Sequence, residues 1–386
     1  MLYGQGFTAN RLLENEAKTK PLTIAAGPAL SRRRKVLFVG VICACAGLVV
    51  FLLGEVYIRH FSAIDEAGWH EIADDPILFY RIRAGAAGDD HGHRRTHTAQ
   101  HIRGPRIFAR SPADGAKRVL WIGNSACFGS GCDDEQTAPF QFQDIAADRG
   151  VIVESINLAV VGYNVRQVRE VLAQRSAEFA GAKTVIYYHH ENDIVNAPWA
   201  QLAPRLPAGL FWEYDPPQPF VKKLIKRSAV VRRLWNTDVL VRLRGDGDRG
   251  IDAPAVRAAL ADRSAILPIH GFTRKCVELY DEQNEYGLRF RDELYRMADL
   301  ADAGGASFMM IYWPSRTLLH HVELADLRRT LAGWCRVNGI ALVDVTDAFL
   351  DSAAADVYSD TIHPGPAGQR IVAEAVFQAW RSEGGQ

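Results

Sequence analysis

The sequence has no surplus of charge. Across 386 residues, 45 Lys and Arg face 45 Asp and Glu, so no overall basic field draws the chain onto nucleic acid, and a nucleic-acid partner is not expected. Cysteine is scarce as well. The six present show neither the close-paired spacing of a zinc ribbon nor the density of a disulfide-stapled mini-domain, so the fold must rest on packing. With 48% hydrophobic and 23% charged residues, the chain is too apolar for a disordered protein and too charged for a polytopic membrane protein.

One long apolar run is present. Val36 to Leu53 reads VLFVGVICACAGLVVFLL, with no charge, and at a rise of about 1.5 Å per residue it nearly spans the roughly 30 Å hydrocarbon layer. A buried core helix would carry a polar stripe. A cleaved signal would start nearer the N-terminus and end in a small-x-small site, whereas 35 residues precede this run and Gly54-Glu55-Val56-Tyr57 follows it. An uncleaved signal anchor over 36–54 is therefore expected, behind a cytoplasmic tail 1–35. Lys18, Lys20, Arg32, Arg33, Arg34 and Lys35 lie before it and only Arg59 in the matching stretch after it. That bias keeps the N-terminus in the cytoplasm and sends the rest outside, to the periplasm if the cell is Gram-negative. Cys43 and Cys45 fall inside the span, and Cys127, Cys132, Cys276 and Cys335 would face an oxidising compartment, where three pairings are open to them.

Residues 55–117 read as a stalk or docking segment, poor in core residues and rich in Gly, Asp and His. His91, His93, His97 and His101 have no metal-ligand spacing and are expected to be solvated; no metal and no cofactor is expected. From Arg118 onward, apolar runs of strand length alternate with helical periodicity. The strands are Val119–Ile122, Val151–Ile156, Thr184–Tyr188, Phe308–Tyr312 and Ile340–Val345. Helices are marked by Val165, Val168 and Leu172, by Phe290, Leu294 and Met297, by Leu324, Leu327, Leu331 and Trp334, and by the run opened by Pro366. The pattern predicts an α/β fold over 118–383, a flavodoxin-like doubly wound five-stranded parallel sheet. A cap insertion over 197–285 interrupts it. There, VKKLIKRSAVVRRLWNTDVLVRLR could face an anionic surface or glycan, or simply be a solvated helix face. The GDGDRG that follows fits neither a dinucleotide fingerprint nor a calcium loop.

Ser125 follows the first sheet strand within Gly123-Asn124-Ser125, at the carboxyl edge where open α/β sheets bind ligands. The elbow G-x-S-x-G is absent, since Cys127 holds its last position. Asp360-Thr361-Ile362-His363 comes after the last strand, a spacing that lets the carboxylate fix the imidazole tautomer while the other nitrogen takes a serine proton. Gly162 in NLAVVGYN and Asn192 in HHEND end the two intervening strands and supply donor types suited to an oxyanion hole. HHEND fails as a zincin motif because Ile194 replaces the second histidine. Cys127 and Cys132 could lock the serine loop as a disulfide or pack as buried thiols.

These four blocks, in order, resemble the SGNH (GDSL-type) hydrolases over Arg118 to Trp380. The upstream DPILFYRI with RVLWIGNSACFGSG is similar to membrane-anchored members from bacterial envelopes. The resemblance implies Ser125 as nucleophile, Asp360 and His363 as its partners, and Ser125 N–H, Gly162 and Asn192 as the oxyanion hole. Asn124 replaces the family's Asp and is expected to keep the turn, whereas His190 replaces a glycine and is expected to crowd the pocket beside Asn192. The implied activity is acyl-ester hydrolysis or O-acyl transfer on an envelope glycan or lipid, the transfer variant needing a membrane acyl-transfer partner. The alternative is an inactive protein of the same fold that binds glycan or supports polysaccharide assembly.

Overall fold

A computed structural model describes residues 31–60, 69–90, 92–195, 230, 266–269, 271–354 and 356–383. Most of the expected cap, with its basic run and GDGDRG, lies outside these residues, as do residues 1–30 and His91.

The chain divides into two compact units, 1–53 and 54–386. Helix α1 (Arg32–His60) contains the apolar run, which lies in the first unit. Over Arg32–Tyr57 it is long and apolar enough to cross a membrane, and none of its most apolar window is buried within the protein.

In the second unit, five strands form one parallel sheet: β5 (Lys117–Gly123), β6 (Val153–Asn157), β7 (Ala182–His189), β8 (Ser307–Tyr312) and β9 (Ala341–Asp344). Their spatial order is β6-β5-β7-β8-β9, all neighbours parallel. This is the doubly wound, flavodoxin-like order expected from the alternation of apolar runs and helices. The order reverses at β5, so the crevice between the carboxyl ends of β5 and β7 is the switch point where such sheets bind ligands.

Both faces are covered. On one side lie α4 (Val165–Arg175), α6 (Glu285–Ala303) and α7 (Val322–Val337), with Trp334 stacked on Phe290. On the other, α3 (Ala138–Ala147) packs on the last helix, Pro366–Ser382, where Phe142 meets Trp121, Phe377 and Trp380 edge-on. The sequence reading did not name α3, although Pro139 in its first turn and the spacing of Phe142, Ile145 and Ala146 mark it. Two further helices are shorter: α5 (Gly271–Leu279) precedes α6, and α8 (Thr346–Asp351) follows β9.

The stretch before β5 holds more core than its reading as a segment poor in core residues implied. It forms two antiparallel hairpins, β1 (His70–Ile72) with β2 (Tyr80–Ile82) and β3 (Ala87–Asp90) with β4 (His93–Thr96). Trp69, Leu78, Tyr80, Ile82 and Ile102 are buried from solvent. Charged groups are buried with these apolar anchors. Arg95 lies between the rings of Trp69 and Phe128, 4.6 and 4.4 Å from their centroids, and Arg103 pairs with Asp134 at 2.7 Å, both side chains 3% exposed. His97, expected to be solvated, is buried. Burial, reinforced by the Arg95 charge, pushes its pKa down to about 2. The neutral ring donates from Nδ1 to Arg83 O at 3.1 Å and accepts from Arg95 Nε at 3.1 Å.

Candidate active site

Strand β5 ends on a glycine because nothing larger fits: a Cβ on Gly123 would stand 2.7 Å from Tyr188 O and 2.8 Å from Cys127 Cβ. The chain then turns at once into the short helix α2 (Ser125–Phe128). Asn124 caps it, its Oδ1 accepting from Ala126 N–H at 2.9 Å. Ser125 thus opens the helix at the sheet's carboxyl edge. The turn after α2 is closed against the opposite loop by Gly131, at φ 79°, whose Cβ would collide with Ser359.

The Asp360–His363 loop is pinned at its ends by a bridge between Tyr358 and Pro364 and by Ser359 N–H donating to His363 O at 3.0 Å. Asp360 Oδ1 accepts the N–H groups of Ile362 and His363, both at 2.6 Å, which aims Oδ2 at His363 Nδ1, 2.7 Å away. His363 Nε2 reaches Ser125 Oγ at 2.9 Å. The three residues, 238 positions apart at the widest hydrogen bond, form one continuous line. Burial disfavours the imidazolium, but the Asp360 charge and hydrogen bond outweigh it and raise the His363 pKa above 6.5. Burial likewise opposes ionisation of Asp360, and His363 with the two backbone donors holds its carboxyl below the usual range.

Asn192 sits in a 3-10 turn, Glu191–Ile194, directly after β7. Its Oδ1 accepts from Asn124 Nδ2 at 2.7 Å, across the switch point. The same Asn124 amide also donates to Asp193, whose buried carboxylate takes Tyr187 Oη–H at 2.7 Å and His190 N–H at 3.3 Å. Asn124 therefore does more than keep a turn: by occupying Asn192 Oδ1 it leaves the Asn192 NH₂ for the crevice.

His190 does not crowd that crevice. Its ring is 3% exposed, turned inward onto Trp313 with centroids 4.8 Å apart, and its Nδ1 accepts from Asn192 N–H at 3.4 Å. The His190 imidazole is a cap for the Asn192 turn.

Gly162 occupies the loop after β6, tied to the serine strand by Val160 N–H donating to Gly123 O at 3.2 Å. Among the described residues, Ser125 N–H, Gly162 N–H and the Asn192 NH₂ find no acceptor within the protein. Three strand ends thus present unused donors, and the loop between α8 and the last helix presents the imidazole.

Strand β8 also ends here, and the sequence reading assigned nothing to it. Its loop ties the site together: Ser315 N–H donates to Glu191 Oε1 at 3.3 Å, Arg316 N–H to Thr361 O at 3.1 Å, and Tyr358 Oη–H to Pro314 O at 2.9 Å. Each uses a main-chain group of the loop, which residue type does not advertise. Cys127 and Cys132 are buried free thiols, not a disulfide, and burial raises both pKa values, that of Cys132 to about 12.

Such an arrangement can pass a proton from Ser125 to His363 while the serine oxygen adds to a carbonyl, with N–H donors to receive the oxyanion.

No protein-family model matches the sequence, and no curated protein matches it significantly. Among solved structures, it is similar to that of TesA, at 16% identity over 69% of this chain and 99% of that one, with a TM-score of 0.40. A second is the psychrotrophic esterase EstA from Pseudoalteromonas sp., in a structure inhibited by monoethylphosphonate, at 10% identity over 70% and 100% of the two chains, TM-score 0.38. A third is Est24, a carbohydrate acetylesterase from Sinorhizobium meliloti, at 8% identity over 69% and 99%, TM-score 0.36. At 16% identity and below, with TM-scores of 0.40 and below, these likenesses assign no activity to this chain. The 2-1-3-4-5 order of the parallel sheet is the fold expected from the resemblance to the SGNH (GDSL-type) hydrolases.

Proposed function

We propose that this protein is a serine-dependent acyl-ester hydrolase or O-acyltransferase, anchored by its N-terminal helix and acting outside the cytoplasmic membrane on an acylated envelope glycan or lipid. The observation that carries the chemistry is the hydrogen-bonded line Asp360–His363–Ser125 beside three unused N–H donors. Ser125 Oγ adds to the acyl carbonyl as His363 Nε2 takes its proton. The tetrahedral oxyanion is received by Ser125 N–H, Gly162 N–H and Asn192 Nδ2. The His363 proton then passes to the leaving alcohol and an acyl-serine remains. Water completes hydrolysis, and a sugar hydroxyl in its place gives transfer. His190, the one residue that argued for an inactive binding protein, faces away from the crevice.

The test is reaction of the full-length, detergent-solubilised protein with a fluorophosphonate probe, followed by acyl release from a short-chain ester with and without glycan acceptors. Wild type should label and Ser125→Ala should not. Labelling that survives Ser125→Ala rejects the reading, and acyl transfer to the glycan selects the transferase. The location rests on six basic residues before the apolar run Val36–Leu53 against one after it. A reporter active only outside the cytoplasm should work after Gln386 and fail at Ser31; the reverse pattern rejects the envelope assignment.

A further inference from the structure

The Gly162 donor belongs to a peptide that can face two ways. Val160, Val161, Gly162 and Tyr163 form a β-turn closed by Tyr163 N–H donating to Val160 O at 3.3 Å. Gly162 is at φ 81° and Val161 is not among the residues of positive φ, which makes the turn type II, with glycine at its third position. Types I and II differ by a flip of the central peptide, here Val161–Gly162, and glycine accepts either conformation. In a trans peptide the C=O and N–H point in opposite directions, and no cis peptide is present. Whatever holds Val161 O therefore sets the direction of Gly162 N–H.

That group is Tyr80. Its Oη–H donates to Val161 O at 2.8 Å, from strand β2, 81 residues away and outside the α/β sheet. The ring is 1% exposed and meets Tyr163 edge-on with centroids 5.0 Å apart. Tyr163 Oη–H donates in return to the Tyr80 carbonyl oxygen, and Gln167 Nε2 to Leu78 O at 3.2 Å. Burial raises the pKa of both phenols, so both remain protonated donors.

We infer that Tyr80 is a positioning residue of the oxyanion hole: by holding Val161 O it selects the type II turn and turns Gly162 N–H toward the oxyanion. The inference rests on the serine reading above and assigns to the segment before β5 a part in the reaction. Donation to the carbonyl also polarises the peptide and strengthens the N–H as a donor. The effect belongs to the transition state, because the oxyanion forms only there.

The test uses full-length Tyr80→Phe, which removes one hydroxyl and keeps the ring. Its kcat for a short-chain ester should fall about tenfold, with KM and the pH of half-maximal rate unchanged, as expected when a transition-state donor is misaligned. In a Gly162→Ala background, where positive φ is already disfavoured, Tyr80→Phe should cause no further loss. In the wild-type phosphonate adduct the Gly162 amide proton should move downfield, and in the Tyr80→Phe adduct it should not. A Tyr80→Phe kcat within twofold of wild type, or a full further loss in the Gly162→Ala background, overturns the inference. Loss of folding in Tyr80→Phe moves the test to Gly162→Asn against Gly162→Ala. Asn tolerates positive φ better and should retain severalfold more kcat, and equal losses overturn the turn argument. Failure of the serine reading is separate, since it appears as labelling that persists in Ser125→Ala.

Discussion

Asn124 Nδ2 donates to Asn192 Oδ1 at 2.7 Å, joining the residue before the nucleophile to the donor at the end of the neighbouring strand. The same amide reaches the buried Asp193 carboxylate. An aspartate at 124 would have no proton to give to either at neutral pH.

Asn124→Asp is therefore expected to be harmful here. It sets a second carboxylate against Asp193, where like charges oppose joint ionisation and one group takes up a proton. The variant should gain stability relative to wild type as pH falls from 8 to 5, measured by urea unfolding at each pH. Asn124→Ala should lose about 0.5–2 kcal/mol from the missing cap, with an additional fall in kcat, because Asn192 loses the partner that orients it. A purely structural Asn124 would leave kcat intact well below the melting temperature.

Asn192→Ala should fold, still label with a phosphonate at a reduced rate, and lose on the order of 10²–10³ in kcat with little change in KM. The Asn192 backbone N–H, not its side chain, engages His190, so the turn survives the substitution. A variant with near-normal turnover that melts several degrees lower would assign the amide to loop stability.

The pH profile follows from the two shifts. Neutral His363 is the base, and its pKa lies above 6.5, so kcat/KM should rise with pH through a value above that of free histidine and then level. Asp360→Asn removes the charge that raises the pKa and leaves burial, which lowers it. The rise should then move to lower pH as the rate falls. For stability the signs are opposite. The depressed Asp360 pKa gives a contribution lost as pH falls through it, and the raised His363 pKa one lost as pH rises through it. The pair should be most stabilising between the two, as thermal unfolding of wild type and His363→Ala across pH will show.

Asp134→Ala leaves Arg103 buried without its carboxylate and releases Thr96, whose N–H donates to Asp134 Oδ1 at 3.2 Å. About 3–5 kcal/mol of stability should be lost. The double change Arg103→Met with Asp134→Leu should recover much of it in urea unfolding, since two apolar groups leave no charge unpaired.

How far the sequence could be read depends on the range of each interaction. The succession of five strands from Val119 with the four helices marked by their spacing, the apolar run of α1, the strand-end positions of Ser125, Gly162 and Asn192, and the pairing of Asp360 with His363 all follow from local periodicity and from spacing within a single loop. Those features were determined by the sequence alone, because backbone geometry repeats at fixed intervals whatever the rest of the chain does. The tertiary structure alone decided that His97 is buried and neutral, that His190 turns inward onto Trp313, and that Asn124 orients Asn192. It alone brought Tyr80 to the Gly162 peptide. Each of these depends on a partner that the local pattern does not specify: Phe128 for His97, Trp313 for His190, Asn192 for Asn124, Val161 for Tyr80. A hydrogen bond across 68 or 81 residues leaves no period in the chain, and a Gly- and His-rich stretch becomes core only when another surface arrives to bury it.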